Sequence, residues 1–208
     1  MTATTDEQRI EAVLNFWIGP LDEHGLYPKS RIKFWFYSNP DTDAAIVDGF
    51  GDDYARAGRG ELDHWAQTPR GRLALIIMLD QFTRNLGRGS ADAYANDPRG
   101  LALCHEGIRL GHDRHMRGPE RAFFYMPLEH SESMADQDLI IASLDAWLAE
   151  AGEPLASGMK DFLSSAQEHR EIIVAYGRYP HRNTVLGRAN TPAEQAYLDN
   201  SGKSFGQG

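Results

Sequence analysis

The fold of this chain is decided by residues 68–84, TPRGRLALIIMLDQFTR. Thr68 followed by Pro69 is typical of a helix start, because a hydroxyl can cap the first turn and proline fits the first helical position. The residues that follow are apolar on nearly every side of a helix, at Leu73, Leu75, Ile76, Ile77, Met78 and Leu79. Helices of this kind are usually buried. The sequence therefore predicts a central, buried helix from Pro69 to about Arg84.

Helical periodicity extends outward from this helix over almost the whole chain. A first helix carries apolar residues at positions i, i+3, i+4 and i+7, namely Ile10, Val13, Leu14 and Trp17. Thr4 with Glu7 fits a capping box at its start. Further helices are predicted over residues 31–37, 41–57, 97 onward, 119–126, 134–150, 158–176 and 191 onward. Pro127 is expected to break the 119–126 segment. Because no convincing run alternates with period two, we predict an all-α fold of antiparallel helices in a compact array.

Length and composition indicate one domain. The chain has 208 residues, of which 41% are hydrophobic, enough for a substantial core. We expect a single all-helical domain over residues 1–199 and a flexible C-terminal tail over residues 200–208, which are rich in Gly and Ser.

Charge and cysteine usage narrow the partners and the compartment. The net charge of −9, without any run of basic residues, argues against nucleic acid and anionic membranes as partners. The longest apolar stretch, residues 73–79, is too short to span a bilayer, and the polar N-terminus lacks the pattern of a signal peptide. Cys104 is the only cysteine, so no intramolecular disulfide can form, which agrees with a cytoplasmic location.

Two polar stretches at predicted helix ends repeat each other. The first motif, residues 80–88, reads DQFTRNLGR, and the second motif, residues 177–188, reads GRYPHRNTVLGR. Each contains an aromatic residue, then Arg-Asn, then Leu-Gly-Arg. Helix termination explains part of this likeness, because Arg complements the dipole at a helix C-terminus and Asn and Gly favour the turn that follows. The rest fits either an internal salt-bridge network or a shared site where arginines bind a carboxylate or phosphate.

A third polar cluster lies between the two motifs. The 129–132 cluster, Glu129-His130-Ser131-Glu132, would place both carboxylates on one helix face if the helix continues. Two carboxylates beside a histidine suit general acid–base chemistry or a metal. The alternatives are that they pair with the arginines of the two motifs or cap the helix that begins near Met134. His169 falls on the apolar stripe of its helix, where a histidine is usually a core residue.

Together these clusters define a candidate ligand site. Its residues are Asp80, Arg84, Asn85, Arg88, Glu129, His130, Glu132, Arg178, His181, Arg182 and Asn183. The sequence names neither a catalytic residue nor a cofactor, and it contains no zinc-protease, phosphate-loop, nucleophile-elbow or dinucleotide-binding motif.

The same motifs resemble a known bacterial family. Residues 79–85, 124–132 and 177–188, together with Asn15-Phe16-Trp17 and Trp35-Phe36, resemble the family called domain of unknown function 924. The resemblance runs from about Val13 to Phe205. It implies an all-helical fold of the tetratricopeptide-like superhelix type and no established activity. Thr83 departs from the family pattern, which usually has proline there.

Three hypotheses for function follow. The leading one is a domain that binds a small anionic ligand or a peptide, held by the arginines and oriented by Glu129 and His130. The second is an enzyme that uses the same pocket for acid–base or metal-assisted chemistry, with His130 or His181 as the base. The third is a protein–protein interaction module, which exposed aromatics would support; Trp35, Phe36 and Tyr37 are candidates, because three consecutive residues cannot all face one core.

Overall fold

The protein is built from α-helices joined by short turns and 3₁₀ segments. The computed structural model describes residues 5–37, 39–203 and 205–206, and none of these residues forms a strand. The predicted all-α fold is therefore confirmed. The helices are α1 (Asp6–Trp17), α2 (Ser30–Phe36), α3 (Pro40–Arg59), α4 (Pro69–Ile76), α5 (Thr83–Leu86), α6 (Asp97–Leu110), α7 (Pro119–Glu129), α8 (Met134–Ala151), α9 (Leu155–Tyr176) and α10 (Pro192–Ser201).

Helix α4 lies at the centre of the core, as its all-round apolar sequence predicts. The side chain of Thr68 caps it by accepting from the backbone N–H of Gly71, and Pro69 occupies the first turn. Its residues from Leu73 onward are buried on all sides by α1, α6 and α7. Because α4 is buried on every side after its first turn, the surrounding helices are held in place by the apolar surface they share with it.

The central helix changes its winding before it ends. Residues 77–82 form a π-helix, in which the Thr83 N–H donates to the carbonyl of Met78, five residues earlier. A proline at position 83, usual in the family that the sequence resembles, would lack this N–H. Periodicity alone predicted a regular helix here. The wider π turn carries Asp80 and Gln81, and π turns inside helices are frequent at functional sites.

Pro127 does not break its helix, so the predicted end near Met126 is wrong. Helix α7 continues through Pro127 to Glu129. The proline stands in the last turn, where its missing N–H removes one helical hydrogen bond, and the aromatic residues Phe123, Phe124 and Tyr125 fix the helix by complete burial. This continuation keeps Glu129 on the helix and directs it toward the core.

Of the two predicted capping boxes, that of α10 is confirmed and that of α1 is wrong by one residue. Thr4 lies outside the described residues, and the capping box of α1 is formed by Thr5 and Gln8. Thr191 and Glu194 form the predicted capping box of α10. Beyond α10, the ring of Phe205 stacks on His169, and the flexibility of the 200–208 tail stays a prediction.

Two further points concern the architecture as a whole. Helices α8 and α9 pack along each other. This packing is compatible with a tetratricopeptide-like array, which stays a prediction. In the described part of the chain, no helix combines the length and the apolarity that crossing a bilayer requires.

Candidate functional site

A pocket of about 470 Å³ opens beside the π turn, and we call it the main pocket. It lies where the π turn and α5 face the ends of α2 and α7, the middle of α9 and the C-terminal segment. Five of the predicted site residues line it, namely Arg84, Asn85, Arg88, Glu129 and His130. The structure thus brings the first motif and half of the 129–132 cluster to one cavity.

Arg84 is a buried and fully engaged arginine. Its Nη1 lies 3.0 Å from Oδ1 of Asp80, one turn earlier, and its two terminal nitrogens donate to both carboxylate oxygens of Asp97 at 2.9 and 3.2 Å. Burial by itself would raise the pKa of Asp80, but the charge of Arg84 and the hydrogen bond from His130 outweigh it and lower that pKa. Arg84 is therefore shared between Asp80 and Asp97 and has little capacity left for a ligand. Asp97 also lies 3.5 Å from Nη1 of Arg182, which supplies the second positive charge.

Asp80 also orients the imidazole of His130. Nδ1 of His130 lies 2.8 Å from Oδ1 of Asp80, and the amide of Gln81 donates to the other oxygen at 2.6 Å. Burial and the charge of Arg84 lower the pKa of His130, so the ring is neutral at pH 7. A neutral ring that donates through Nδ1 carries its free electron pair on Nε2. The pair resembles the carboxylate–histidine arrangement of acid–base sites.

Glu129 is a buried carboxyl group without an arginine partner. It is 3% exposed, accepts a hydrogen bond from Oγ of Ser165 at 2.9 Å and lies 3.1 Å from Nδ1 of His169. Burial raises the pKa of Glu129 to about 7, and burial lowers the pKa of His169 to about 4. The contact between them is thus not an ion pair at pH 7. Glu129 can gain or lose a proton near neutral pH at the pocket wall.

Arg88 is the least engaged of the arginines that line the main pocket. Its Nη1 donates to Asp43 at 2.9 Å, whereas its Nη2 makes no hydrogen bond to any described residue and is not buried. Lys203 also lines the pocket, where it donates to Glu168 at 2.5 Å. The main pocket therefore carries a guanidinium with unused donors and an ammonium nearby.

Aromatic side chains form the mouth of the main pocket. Phe36 and Tyr37 are 48% and 67% exposed, whereas Trp35 before them is buried. The ring of Phe205 stacks on His169 with 3.8 Å between ring centres. The interaction-module hypothesis names these three consecutive aromatics as candidates for exposure, and two of them are exposed. Since the two exposed ones line a pocket, their exposure is explained without a protein partner.

Part of the second motif lies away from the main pocket, where its arginines form internal ion pairs. Arg178 donates to both carboxylate oxygens of Glu194 at 2.5 and 2.7 Å. Arg188 donates to both oxygens of Glu132 at 2.7 and 3.0 Å, and Glu132 also accepts from the backbone N–H of Tyr179. Neither Arg178 nor Glu132 lines the pocket. These pairs tie the end of α9 to α10 and to the turn after α7.

The middle of the second motif lies behind the pocket wall. Arg182 is 6% exposed, with its guanidinium 4.7 and 4.4 Å from the ring centres of Tyr94 and Tyr179. The ring centres of His181 and Phe205 are 5.7 Å apart, and burial lowers the pKa of His181 to about 3. The fully buried Asn183 donates to Asn190. The structure therefore places these three predicted site residues near the main pocket but not in its lining.

Sequence reasoning missed several lining residues. Ser165 and His169 lie one helical turn apart on α9, and Gln81 directly follows Asp80. The apolar stripe of α9 predicts that His169 faces inward, but it does not distinguish a core histidine from one that lines a pocket. Lys203 and Phe205 fell in the predicted tail, where sequence offers no signal of packing. No group of three or more His, Cys, Asp or Glu side chains that could hold a metal ion occurs among the described residues.

Comparison with known proteins gives a family and a fold relative. The model of the family described as "Bacterial protein of unknown function (DUF924)" matches residues 13–202. A solved structure titled as a protein of unknown function, ATU0120 from Agrobacterium tumefaciens, is 33% identical to this chain, with a TM-score of 0.79. The match covers 95% of this chain and 100% of that one. No curated protein matches.

Proposed function

Because the chain belongs to the DUF924 family of bacterial proteins of unknown function, whose name supplies no activity, we propose from the main pocket alone that the protein binds a small anionic ligand. The observation that carries this proposal is Arg88, which lines the pocket with one carboxylate partner and unused donors. A guanidinium presents a planar fork that suits a carboxylate or phosphate. The C-terminal carboxylate of a short peptide offers the same chemistry.

The acidic groups around the main pocket do not oppose an anion near neutral pH. The charge of Asp80 is balanced by Arg84, and its carboxylate accepts a hydrogen bond from the neutral ring of His130. Glu129, with its pKa raised to about 7 by burial, is uncharged in slightly acidic solution. An anion bound there faces Arg88. Lys203 is paired with Glu168, which also lines the pocket, so this pair adds no net charge, whereas ionisation of Glu129 adds a negative charge. Affinity should therefore fall as the pH rises above 7.

The test is a binding measurement with acetate, longer carboxylates and inorganic phosphate at pH 6 and pH 8. We expect thermal stabilisation at pH 6, weaker stabilisation at pH 8, and about a tenfold loss of affinity in Arg88→Gln, since a charge-assisted hydrogen bond is lost. Arg109→Gln is the control, because Arg109 is an exposed arginine paired with Glu106 on the surface of α6. The proposal is wrong if no anion stabilises the protein, or if Arg88→Gln binds as tightly as the unaltered chain.

A second candidate function is acid–base catalysis on the bound ligand, favoured by the Glu129 carboxyl and the Asp80–His130 pair in one pocket. Nε2 of His130 would remove a proton from the ligand, and Glu129 would supply one. Ligand incubated in D₂O should then exchange a carbon-bound hydrogen for deuterium, as followed by NMR. The double variant Glu129→Gln, His130→Gln should bind ligand without exchange. Ligands that bind but never exchange or change would leave the protein as a binder only.

We also propose a cytoplasmic location. Cys104 is buried, and burial raises the pKa of its thiol. A single unpaired thiol of this kind is compatible with a reducing compartment. Fractionation of the source cells with an antibody to the protein would test this location, and recovery from an oxidising compartment would contradict it.

A further inference from the structure

A second cavity of about 180 Å³ adjoins the main pocket, and we call it the annex. Phe36, Met126 and Ser165 line both cavities. The rest of the annex wall comes from Tyr27, Ile32, Phe162 and Asp161. The two cavities therefore share a boundary formed by the ends of α2 and α7 and the middle of α9.

The two cavities differ in charge. The charged lining of the main pocket consists of Arg84, Arg88, the Lys203–Glu168 ion pair and Glu129, whereas Asp161 is the charged residue, among those described, that lines the annex. Asp161 is exposed, while Phe162 and Met126 are buried, so the annex is apolar inside and anionic outside. A carboxylate or phosphate is repelled at the annex and attracted at Arg88. An apolar group gains by leaving water for the rings and Met126.

We propose that the ligand is amphipathic, with its anionic group at Arg88 in the main pocket and an apolar tail in the annex. This inference rests on the proposed function and deepens it by naming the ligand class. A water molecule takes about 30 Å³ in the liquid, so the annex has room for roughly six groups of that size. A tail of about six carbons, straight or closed into a ring, fits this volume.

The experiment is calorimetric titration of the full chain with straight-chain carboxylates from acetate to decanoate at pH 6. Each methylene that enters the annex should tighten binding about fourfold. The gain should stop once the tail exceeds the annex, near octanoate. Ile32→Trp, which fills the annex from the half-buried face of α2, should bind acetate as the unaltered chain does and lose the gain with chain length. Ile32→Ala should instead move the plateau to longer chains.

The matched control is Ile141→Trp, since Ile141 is also half-buried on a helix and lines neither cavity. It should keep the full dependence on chain length. Equal affinity for all chain lengths would overturn this inference and leave the proposed anion site standing. Failure of every carboxylate and of phosphate to bind would overturn the proposed function itself. A chain-length gain that Ile32→Trp and Ile32→Ala both leave unchanged would place the tail outside the annex.

Discussion

The two similar motifs differ in backbone, and this difference assigns them different roles. The first motif stays helical through the π turn and α5, so its side chains at Arg84, Asn85 and Arg88 face the main pocket. The second motif leaves its helix at Gly177, where φ is 69°, and turns through a 3₁₀ segment. Its outer arginines reach carboxylates on neighbouring elements. A shared pattern of Arg, Asn and Gly therefore indicates helix ends, and only the path of the backbone decides what the arginines contact.

The 129–132 cluster is divided between the same two regions. Glu129 and His130 face the main pocket, where His130 contacts Asp80 of the first motif. Glu132 faces the second motif and binds Arg188. The salt-bridge network, which the sequence allows as an alternative to an anion site, thus accounts for Arg84, Arg178 and Arg188, and Arg182 lies 3.5 Å from Asp97. Of the two arginines that line the pocket, Arg88 is the one with a terminal nitrogen that no described residue engages.

The largest expected effect lies in the buried pair of the first motif. Asp80→Ala should lower the free energy of unfolding by about 3–5 kcal/mol, because it leaves two buried guanidinium groups, Arg84 and Arg182, with Asp97 as their shared carboxylate. Urea denaturation at pH 7 measures this loss. Asp63→Ala is the control, since Asp63 pairs with Arg99 at the surface and its loss should cost less than about 1 kcal/mol. Similar losses in both variants would show that the buried ion pair of the first motif contributes no more to stability than a surface pair.

The next effect concerns pH: Glu129 and Glu132 should change the free energy of unfolding in opposite directions as the pH rises. The folded chain holds the Glu129 proton up to about pH 7, against an ordinary value of 4.5, so its stabilising contribution is present below pH 4.5 and is lost as the pH rises through 7. Glu129→Gln removes this dependence. Relative to the unaltered chain, the variant should therefore gain about 3 kcal/mol between pH 4.5 and pH 8. Urea titrations across that range measure the difference, and parallel curves would contradict it.

Glu132 provides the control of opposite sign. Burial would raise its pKa, but the hydrogen bonds from Arg188 and from the backbone of Tyr179 outweigh burial and lower it. Its contribution is present above its ordinary pKa and is lost as the pH falls. Glu132→Gln should accordingly lose stability at neutral pH and approach the unaltered chain in acid.

Sequence predicted the fold better than the site, for physical reasons. The apolar residues of α4 and the caps at Thr68 and Thr191 are local signals, and each led to the correct helix. Whether Arg84 or Arg88 has free donors depends on Asp97 and Asp43, which come from other helices. The π turn over Ile77–Phe82 was also unpredictable, because all six of its residues are buried and the apolar pattern does not record a change of winding. Contacts between distant elements carry no signal in a single sequence.

A smaller effect is expected for the ion pair of the second motif. Glu132→Ala should lower the free energy of unfolding by about 1–2 kcal/mol, less than Asp80→Ala. The partly exposed Arg188 can turn to water when it loses its partner, so no charge remains buried. Urea denaturation measures the loss, and hydrogen exchange should show faster exchange at the amide of Tyr179. A loss larger than that of Asp80→Ala would show that the ion pair of the second motif, and not that of the first, contributes more to stability.

The smallest effect on stability should accompany the largest effect on binding. Arg88 and Asp43 are both partly exposed, so Arg88→Gln and Asp43→Asn should each change the free energy of unfolding by less than about 1 kcal/mol. Their effects on hexanoate affinity should be opposite. Arg88→Gln removes the anion's partner, whereas Asp43→Asn removes the carboxylate that competes with the ligand for Arg88 and so should tighten binding.

Arg178→Gln completes the comparison from the second motif. Arg178 is committed to Glu194 outside the main pocket, so the variant should bind hexanoate as the unaltered chain does even though it loses an ion pair. Calorimetry on the three variants distinguishes the roles. Two results would contradict this assignment: Arg178→Gln weakens binding as much as Arg88→Gln, or Asp43→Asn weakens binding too. Either would show that these side chains affect binding by stabilising the fold and that Arg88 does not contact the ligand.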